Sequence, residues 1–238
     1  MKKPKAIMNW SGGKDSALAL HTVLQAGHYE VVGLLTTVNE AYGRIAMHGV
    51  REELLDQQAA ALDLPLHKVY IPEQVSMDAY DAIMQRHLQA LVENGVTHAI
   101  FGDLFLEDLK AYREKRLGEL KLTGVFPLWQ QNTAELAQQF VAQSFRAITV
   151  CVNEKQLDAS FVGRQMDSAF FASLPAGVDP CGENGEYHSF VYGGPIFAQP
   201  IAVQTGEVVR RTLGETNDTF DTAFFYADLL PATQDPVR

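Results

Sequence analysis

Ser11-Gly12-Gly13-Lys14-Asp15-Ser16 follows a short apolar run, Lys5 to Trp10. It precedes a stretch in which Ala17, Leu20, Val23 and Leu24 recur at helical spacing as far as Gly27. The first run predicts a strand, and the second predicts a helix with Gly27 as its C-terminal cap. A strand, a glycine turn and a helix in that order make an anion site. The glycines let the backbone approach a ligand closely, and the unpaired N–H groups of the helix's first turn point at whatever sits there. Ser11 and Ser16 add hydroxyl donors and Lys14 adds a point charge, so the ligand this turn suits is a phosphate or pyrophosphate.

The turn is not a Walker P-loop. That pattern requires Gly, four residues and then Gly-Lys-Ser/Thr. Here Gly13-Lys14 is followed by Asp15, and Met8 stands five positions before Gly13. The hexapeptide instead resembles the PP-loop of the N-type ATP pyrophosphatases, enzymes that cleave ATP between its α and β phosphates. A bare Gly-Gly turn before an ordinary helix is the structural alternative, and six matching residues between strand and helix weigh against it.

Composition narrows the partners. The chain has 238 residues, enough for one large domain or two small ones around a buried core. Lys and Arg number 19 against 29 Asp and Glu, a net charge of −10. Nucleic-acid binding relies on Lys and Arg neutralising phosphates, so this balance argues against a tRNA-binding role. No stretch approaches the roughly 20 apolar residues of a membrane span, and MKKPKAIMNW lacks the apolar run of a signal peptide. A cytoplasmic protein is the expectation. Cys151 and Cys181 form neither a C-x-x-C pair nor a disulfide framework, and Cys151 reads as a buried core thiol.

Along the chain, Val31 to Val38 reads as a strand covered on both faces. Asn39 to Gly49 reads as a loop, Val50 to Leu62 as a helix and Leu66 to Ile71 as a strand. A helix carrying Tyr80, Ile83, Met84, Leu88, Leu91 and Val92 ends at Gly95. Thr97 to Gly102 is the next strand, with Asp103 at its carboxyl end, on the rim where open α/β sheets bind ligands. Glu107 to Leu120 is a charged segment, read as a solvated helix face, and Val125 to Trp129 a short strand. Strands alternating with helices imply an α/β doubly wound parallel sheet over residues 1–130. From 131 to 238 the texture changes to a smaller α+β domain. Asn132 with Glu135 starts a helix, Arg146 to Val152 is a strand, and Met166 to Leu174 is a short helix. Tyr187 to Tyr192, Ile196 to Val203, Glu207 to Arg211 and Ala223 to Ala227 read as further strands.

The second domain holds a dense constellation, Asp179-Pro180-Cys181-Gly182-Glu183-Asn184-Gly185-Glu186-Tyr187-His188-Ser189. Glycine-rich backbone with acids beside a strand presents carboxylates to a cation or an amine, while the plainer reading is an acidic hairpin loop.

With this constellation the chain resembles the diphthine–ammonia ligase family, a branch of the N-type ATP pyrophosphatases with an adenine nucleotide α-hydrolase-like, HUP-type domain. Four features carry the resemblance in order. They are Ser11 to Ser16; Met47-His48; Gly102-Asp103 with Tyr112-Arg113-Glu114 and Phe126-Pro127-Leu128-Trp129; and Gly182 to Tyr187 leading to Gly194-Pro195-Ile196-Phe197. They span about residues 5 to 200. Eukaryotic and archaeal members usually read Glu-Gly-Gly-Glu-Tyr-Glu-Thr in the last motif. Here Asn184, His188 and Ser189 depart from that pattern, as in bacterial members. Bacteria generally lack diphthine, so a different acceptor is expected.

The resemblance implies an ATP-dependent amidation in which a carboxylate is adenylated, pyrophosphate leaves, and ammonia displaces AMP. It implies a nucleotide site at Ser11, Gly12, Gly13, Lys14, Asp15 and Ser16 with Thr37 and Asp103. Mg²⁺ is expected on Asp15 or Asp103, and Lys14, Glu183 and Glu186 are the expected catalytic groups. His48, Tyr112, Arg113, Asn184 and Tyr187 are expected to face the acceptor. With no glutaminase module and Lys at position 2, free ammonium is the expected nitrogen source. Self-association stays open. A nucleotide-sensing module and a tRNA-modifying PP-loop enzyme are the competing readings; the acidic loop argues against the first and the net charge against the second.

Overall fold

Ala6, Ile7 and Met8 have no solvent exposure, as a strand covered on both faces requires. They lie in β1 (Lys5–Asn9) of a computed structural model that describes residues 2–45, 48–213 and 222–232. After β1 come α1 (Lys14–Ala26), β2 (Glu30–Asn39), β3 (Arg44–Ile45), α2 (Glu52–Leu62), β4 (Leu66–Ile71), α3 (Met77–Glu93) and β5 (Val96–Ile100). The chain continues through α4 (Glu107–Glu119), β6 (Thr123–Val125), α5 (Thr133–Ala142) and β7 (Arg146–Asn153). Last come α6 (Ser168–Ala172), β8 (Tyr187–Gly193), β9 (Val203–Leu213) and β10 (Thr222–Pro231). Two compact units result. Met1–Ser11, Asp15–Ala46 and Asp63–Gln131 form the first, and Gly12–Lys14, Met47–Leu62 and Asn132–Arg238 form the second.

In the first unit, β4, β2, β1, β5 and β6 lie side by side and parallel, and β3 pairs antiparallel with the end of β2. The order reverses at β1, with β2 and β4 on one side and β5 and β6 on the other. That is the doubly wound arrangement the alternating runs predict, and it puts the switch point between β1 and β5. Ile7, Leu35, Val69, Ala99 and Phe101 from the sheet pack with Leu88, Leu91 and Leu117 from α3 and α4. Burying each such Leu, Val or Phe side chain stabilises the fold by about 1.5–3 kcal/mol.

Gly102 follows β5 and touches the start of α1. A Cβ there would lie 2.8 Å from the carbonyl carbon of Asp15 and 2.9 Å from the Ser16 nitrogen. Only glycine allows that approach. The end of β5 and the first turn of α1 are thereby held together at the switch point.

In the second unit an antiparallel sheet runs β8, β7, β10, β9. Its aromatic core includes Phe140, Phe170 and Phe190, all fully buried. Asn132 caps α5 by accepting the Glu135 N–H at 3.1 Å, as its spacing predicts.

Three local expectations need correction. The loop expected from Asn39 to Gly49 contains β3, whose Arg44 and Ile45 pair with Asn39 and Val38. The strand expected at Val125 to Trp129 lies earlier, as Thr123–Val125; the Trp129 N–H turns back to the Phe126 carbonyl at 3.2 Å. Ile196 to Val203 is irregular until β9 begins at Val203. Pro195 just before it and Pro200 within it lack the backbone N–H donors a strand needs. Met47 lies outside the described residues.

Candidate functional site

The glycine turn joins β1 to α1. In the first unit, the Ser11 hydroxyl donates to the Ser16 hydroxyl at 3.2 Å, so the two expected phosphate donors converge across the turn. Trp10 donates its N–H to the Leu35 carbonyl at 2.8 Å, and buried Thr36 donates its hydroxyl to the Trp10 carbonyl at 2.5 Å. These bonds fix where β1 ends against β2, beside Thr37. Asp103 is engaged by Arg113, whose Nε donates to Oδ2 at 2.7 Å and whose Nη2 donates to Oδ1 at 3.4 Å. Burial pushes the Asp103 carboxyl above its usual range, and the Arg113 charge and hydrogen bond offset part of that push. Arg113 also lies over the Phe101 ring, 4.5 Å from its centroid.

Gly12, Gly13 and Lys14 belong to the second unit, where they are tied by main-chain and side-chain bonds. Gly12 has φ +79°, in the left-handed region where a side chain is strained. Its carbonyl accepts from the Val191 N–H at 2.9 Å and from Gln58 Nε2 at 3.0 Å. Gln58 has no exposure, and Nε2 also donates to the Val191 carbonyl at 2.6 Å. Sequence reasoning missed Gln58. The available signal was position, since Gln58 falls three and four residues after Leu55 and Leu54, on the apolar face of α2.

Lys14 is 2% exposed. Its N–H donates to Ser189 Oγ at 3.1 Å, its ammonium donates to the Cys181 carbonyl, and Nζ lies 5.7 Å from the Tyr187 ring centroid. The charge expected at a phosphate is therefore directed onto a main-chain oxygen. His48 Nδ1 lies 3.1 Å from the Ser189 carbonyl, and the His48 ring stacks on His188 with centroids 4.6 Å apart. Burial pushes His48 down to about 4; the Ser189 bond opposes this and the Lys14 charge adds to it. Burial, then His48 and Lys14, push His188 down to about 3. Both rings are neutral at physiological pH.

The acidic loop closes on itself. Glu186 is 1% exposed. Oε1 accepts from the Asp179 N–H at 2.9 Å and from Asn184 Nδ2 at 3.2 Å, while Oε2 accepts from the Asn184 N–H at 2.8 Å. Asp179 Oδ1 accepts from the N–H groups of Cys181 and Glu183 at 2.8 and 3.3 Å. Tyr187 donates its hydroxyl to the Pro180 carbonyl at 2.5 Å. Glu186 is expected to handle ammonia; both of its oxygens accept hydrogen bonds within the loop. Glu183 is partly exposed and Asn184 is exposed.

Tyr112 does not join Arg113 at Asp103. Its hydroxyl donates to Asp81, which also pairs with Arg116. Burial and the bond to Asp81 push the Tyr112 phenol up to about 12. A cavity of about 70 Å³ between α3 and α4 is floored by Met84, Leu88 and Phe101 and edged by Tyr80, Arg113 and Arg116. Among the described residues no three His, Cys, Asp or Glu groups gather as a metal site, and no helix is long and apolar enough to cross a membrane.

The chain was compared with known families and curated proteins. The model of the diphthamide synthase N-terminal domain matches residues 4–122, and that of the diphthamide synthase C-terminal domain matches residues 132–218. A diphthine–ammonia ligase of Bos taurus is 28% identical over 85% of this chain and 84% of the relative. That of Homo sapiens is 26% identical over 84% of this chain and 82% of the relative. The diphthine–ammonia ligase of Schizosaccharomyces pombe is 26% identical over 86% of this chain and 37% of its own longer length.

Proposed function

The chain belongs to the diphthamide synthase family, a family of ATP-dependent ammonia ligases, and from that premise we propose that it adenylates a carboxylate and converts it to an amide. The observation that carries the reading is the glycine turn at the switch point, with Gly102 packed against the first turn of α1. A triphosphate seated there meets the N–H groups of that turn and the paired hydroxyls of Ser11 and Ser16.

A carboxylate oxygen of the acceptor attacks the α-phosphorus, and the bond to the β-phosphate oxygen breaks. The turn stabilises the negative charge that gathers on the departing pyrophosphate. Ammonia then attacks the acyl carbon, the bond to AMP breaks, and one proton is released. Glu183, the partly exposed glutamate of the loop, is the group we assign to accept that proton. Lys14 and Glu186 act as positioning residues that hold the loop's backbone. Thr37, at the end of β2, lies where the adenine is expected.

A divalent cation would draw most of its ligands from the phosphates and needs one or two protein carboxylates. Asp15, in the first turn of α1, fits that role. Asp103 fits it less well, because both of its oxygens accept from Arg113. Bound Mg²⁺ would supply charge neutralisation of the phosphates.

The departures at Asn184, His188 and Ser189 support an acceptor other than diphthine. The test is incubation with Mg-ATP, ammonium and a panel of carboxylates that includes diphthine, with chromatography of the spent nucleotide. Ammonium-dependent AMP and pyrophosphate are expected from one acceptor class. ADP as the main product overturns the mechanism. Tight ATP binding with no acceptor-dependent AMP would leave a nucleotide-sensing module.

A further inference from the structure

The cavity between α3 and α4 lies wholly within the first unit and encloses about 70 Å³. One water needs roughly 10–15 Å³ of such space, so the cavity holds about five to seven water-sized groups. Its floor of Met84, Leu88 and Phe101 suits carbon better than water. Its edge is polar and short of acceptors. Arg116 donates from Nη2 to Asp81 and from Nη1 to Glu119, yet its Nε is buried and has no hydrogen-bond partner among the described residues. The Tyr80 hydroxyl and Arg113 Nη1 have none among those residues either. A buried donor left unpaired is costly, so the group this edge suits is an acceptor oxygen.

The same edge disfavours a cation. Asp81 accepts from Tyr112 with one oxygen and from Arg116 with the other. Glu119, the other carboxylate of the lining, pairs with Arg116 at 3.4 Å. The Arg113 guanidinium lies 4.5 Å from the Phe101 ring centroid, and that of Arg116 lies 5.8 Å from the Tyr112 centroid. A quaternary ammonium would meet a guanidinium at both rings. The cavity also adjoins the switch point. Phe101 precedes Gly102, which packs on the first turn of α1, and Asn9 on the lining ends β1 just before the glycine turn.

We propose that this cavity seats the acceptor, and that the acceptor is a carboxylic acid with a compact, uncharged, apolar body of about five to seven non-hydrogen atoms; the assignment rests on the ligase reading above. The body lies on Met84, Leu88 and Phe101. The carboxylate stays at the edge, where Arg116 Nε, Arg113 Nη1 and the Tyr80 hydroxyl supply donors. One of its oxygens keeps a lone pair for the α-phosphorus, and the bond to pyrophosphate breaks as the new P–O bond forms.

The probe is para-fluorobenzoate, followed by fluorine NMR with the full chain and no nucleotide. Saturable binding is expected. The competitors are tert-butylacetate and glycine betaine, which share a shape and differ in the charge of the body. Glycine betaine should displace the probe about tenfold less well. Met84→Phe fills the floor and Tyr80→Phe removes one hydroxyl while keeping the ring; each should weaken the probe about tenfold, with melting curves showing that the variants fold. No saturable binding, equal displacement by the two competitors, or unchanged affinity in both folded variants overturns the proposal. Acids that bind but yield no AMP with Mg-ATP and ammonium keep the cavity site and reject the ligase reading. AMP release from an acid that folded Met84→Phe protein processes at full rate keeps the ligase and overturns the cavity.

Discussion

The ammonium of Lys14 donates to the main-chain oxygen of Cys181, 167 positions further along the chain. The lysine of the glycine turn is thus built into the acidic loop of the second unit. Lys14→Met should cost about 1–3 kcal/mol, because the buried carbonyl loses its donor, and should loosen the loop. Cys181 reports this directly. Its thiol is buried and donates to the Thr133 carbonyl at 3.4 Å. Burial pushes the other thiol, Cys151, up to about 12 and keeps it silent. Faster alkylation of Cys181 with ATP affinity nearly unchanged is the expected pair of results. Much weaker ATP binding with unaltered Cys181 reactivity would make Lys14 a phosphate ligand instead.

Gly102→Ala tests the switch point. The added methyl would sit 2.8–2.9 Å from main-chain atoms of Asp15 and Ser16, so the first turn of α1 must move. Overpacking of this kind costs roughly 1–3 kcal/mol, and the displaced N–H groups should weaken nucleotide binding. Thermal melting with an ATP titration decides it. Full ATP affinity in the variant would separate this turn from the phosphate site.

Glu186→Gln and Glu183→Gln should behave differently. The first puts an NH₂ group where one of the two carboxylate oxygens now accepts a backbone N–H, and should destabilise by about 1–3 kcal/mol. The second removes the carboxylate assigned to accept the proton and should slow amide formation by about 10²–10⁴-fold, the range for loss of a general base. Denaturant titration and single-turnover amide formation on both variants are the measurements. A stable Glu186→Gln protein that adenylates but forms no amide would return Glu186 to the chemistry.

Acid should weaken the fold through the histidine pair. Folding lowers both imidazoles from 6.5, to about 4 for His48 and about 3 for His188. Between the ordinary and folded values the unfolded chain binds more protons, so stability rises with pH across that window. The contribution is fully present above pH 6.5 and is lost progressively on acidification toward pH 3. His188→Phe should flatten the slope of unfolding free energy between pH 6.5 and 4. An unchanged slope would exclude the pair as its origin.

Local chemistry made much of this protein legible in advance. Ser11 to Ser16 between an apolar strand and an amphipathic helix specify a tight strand-to-helix turn, because strand period, glycine conformation and helix start are set by neighbouring residues. The parallel sheet followed from apolar runs such as Val31 to Val38, which need cover on both faces. Errors fell where local signals were weak. Two-residue β3 lies below any periodicity, and the apolar Phe126 to Trp129 imitates a strand although its backbone turns.

What sequence alone determined was therefore the turn, the order of the parallel strands' elements and the candidate carboxylates. Tertiary structure decided how exposed those groups are and which backbone they hold. Glu183 and Glu186 read alike in sequence, yet one is partly exposed and the other is consumed by three hydrogen bonds inside its loop. Lys14 reads as a phosphate ligand and is turned onto Cys181, while His48 and His188, 140 positions apart, become one stacked pair. Periodicity and turn propensity act over a few residues; hydrogen-bond satisfaction and burial depend on groups that folding brings from anywhere in the chain.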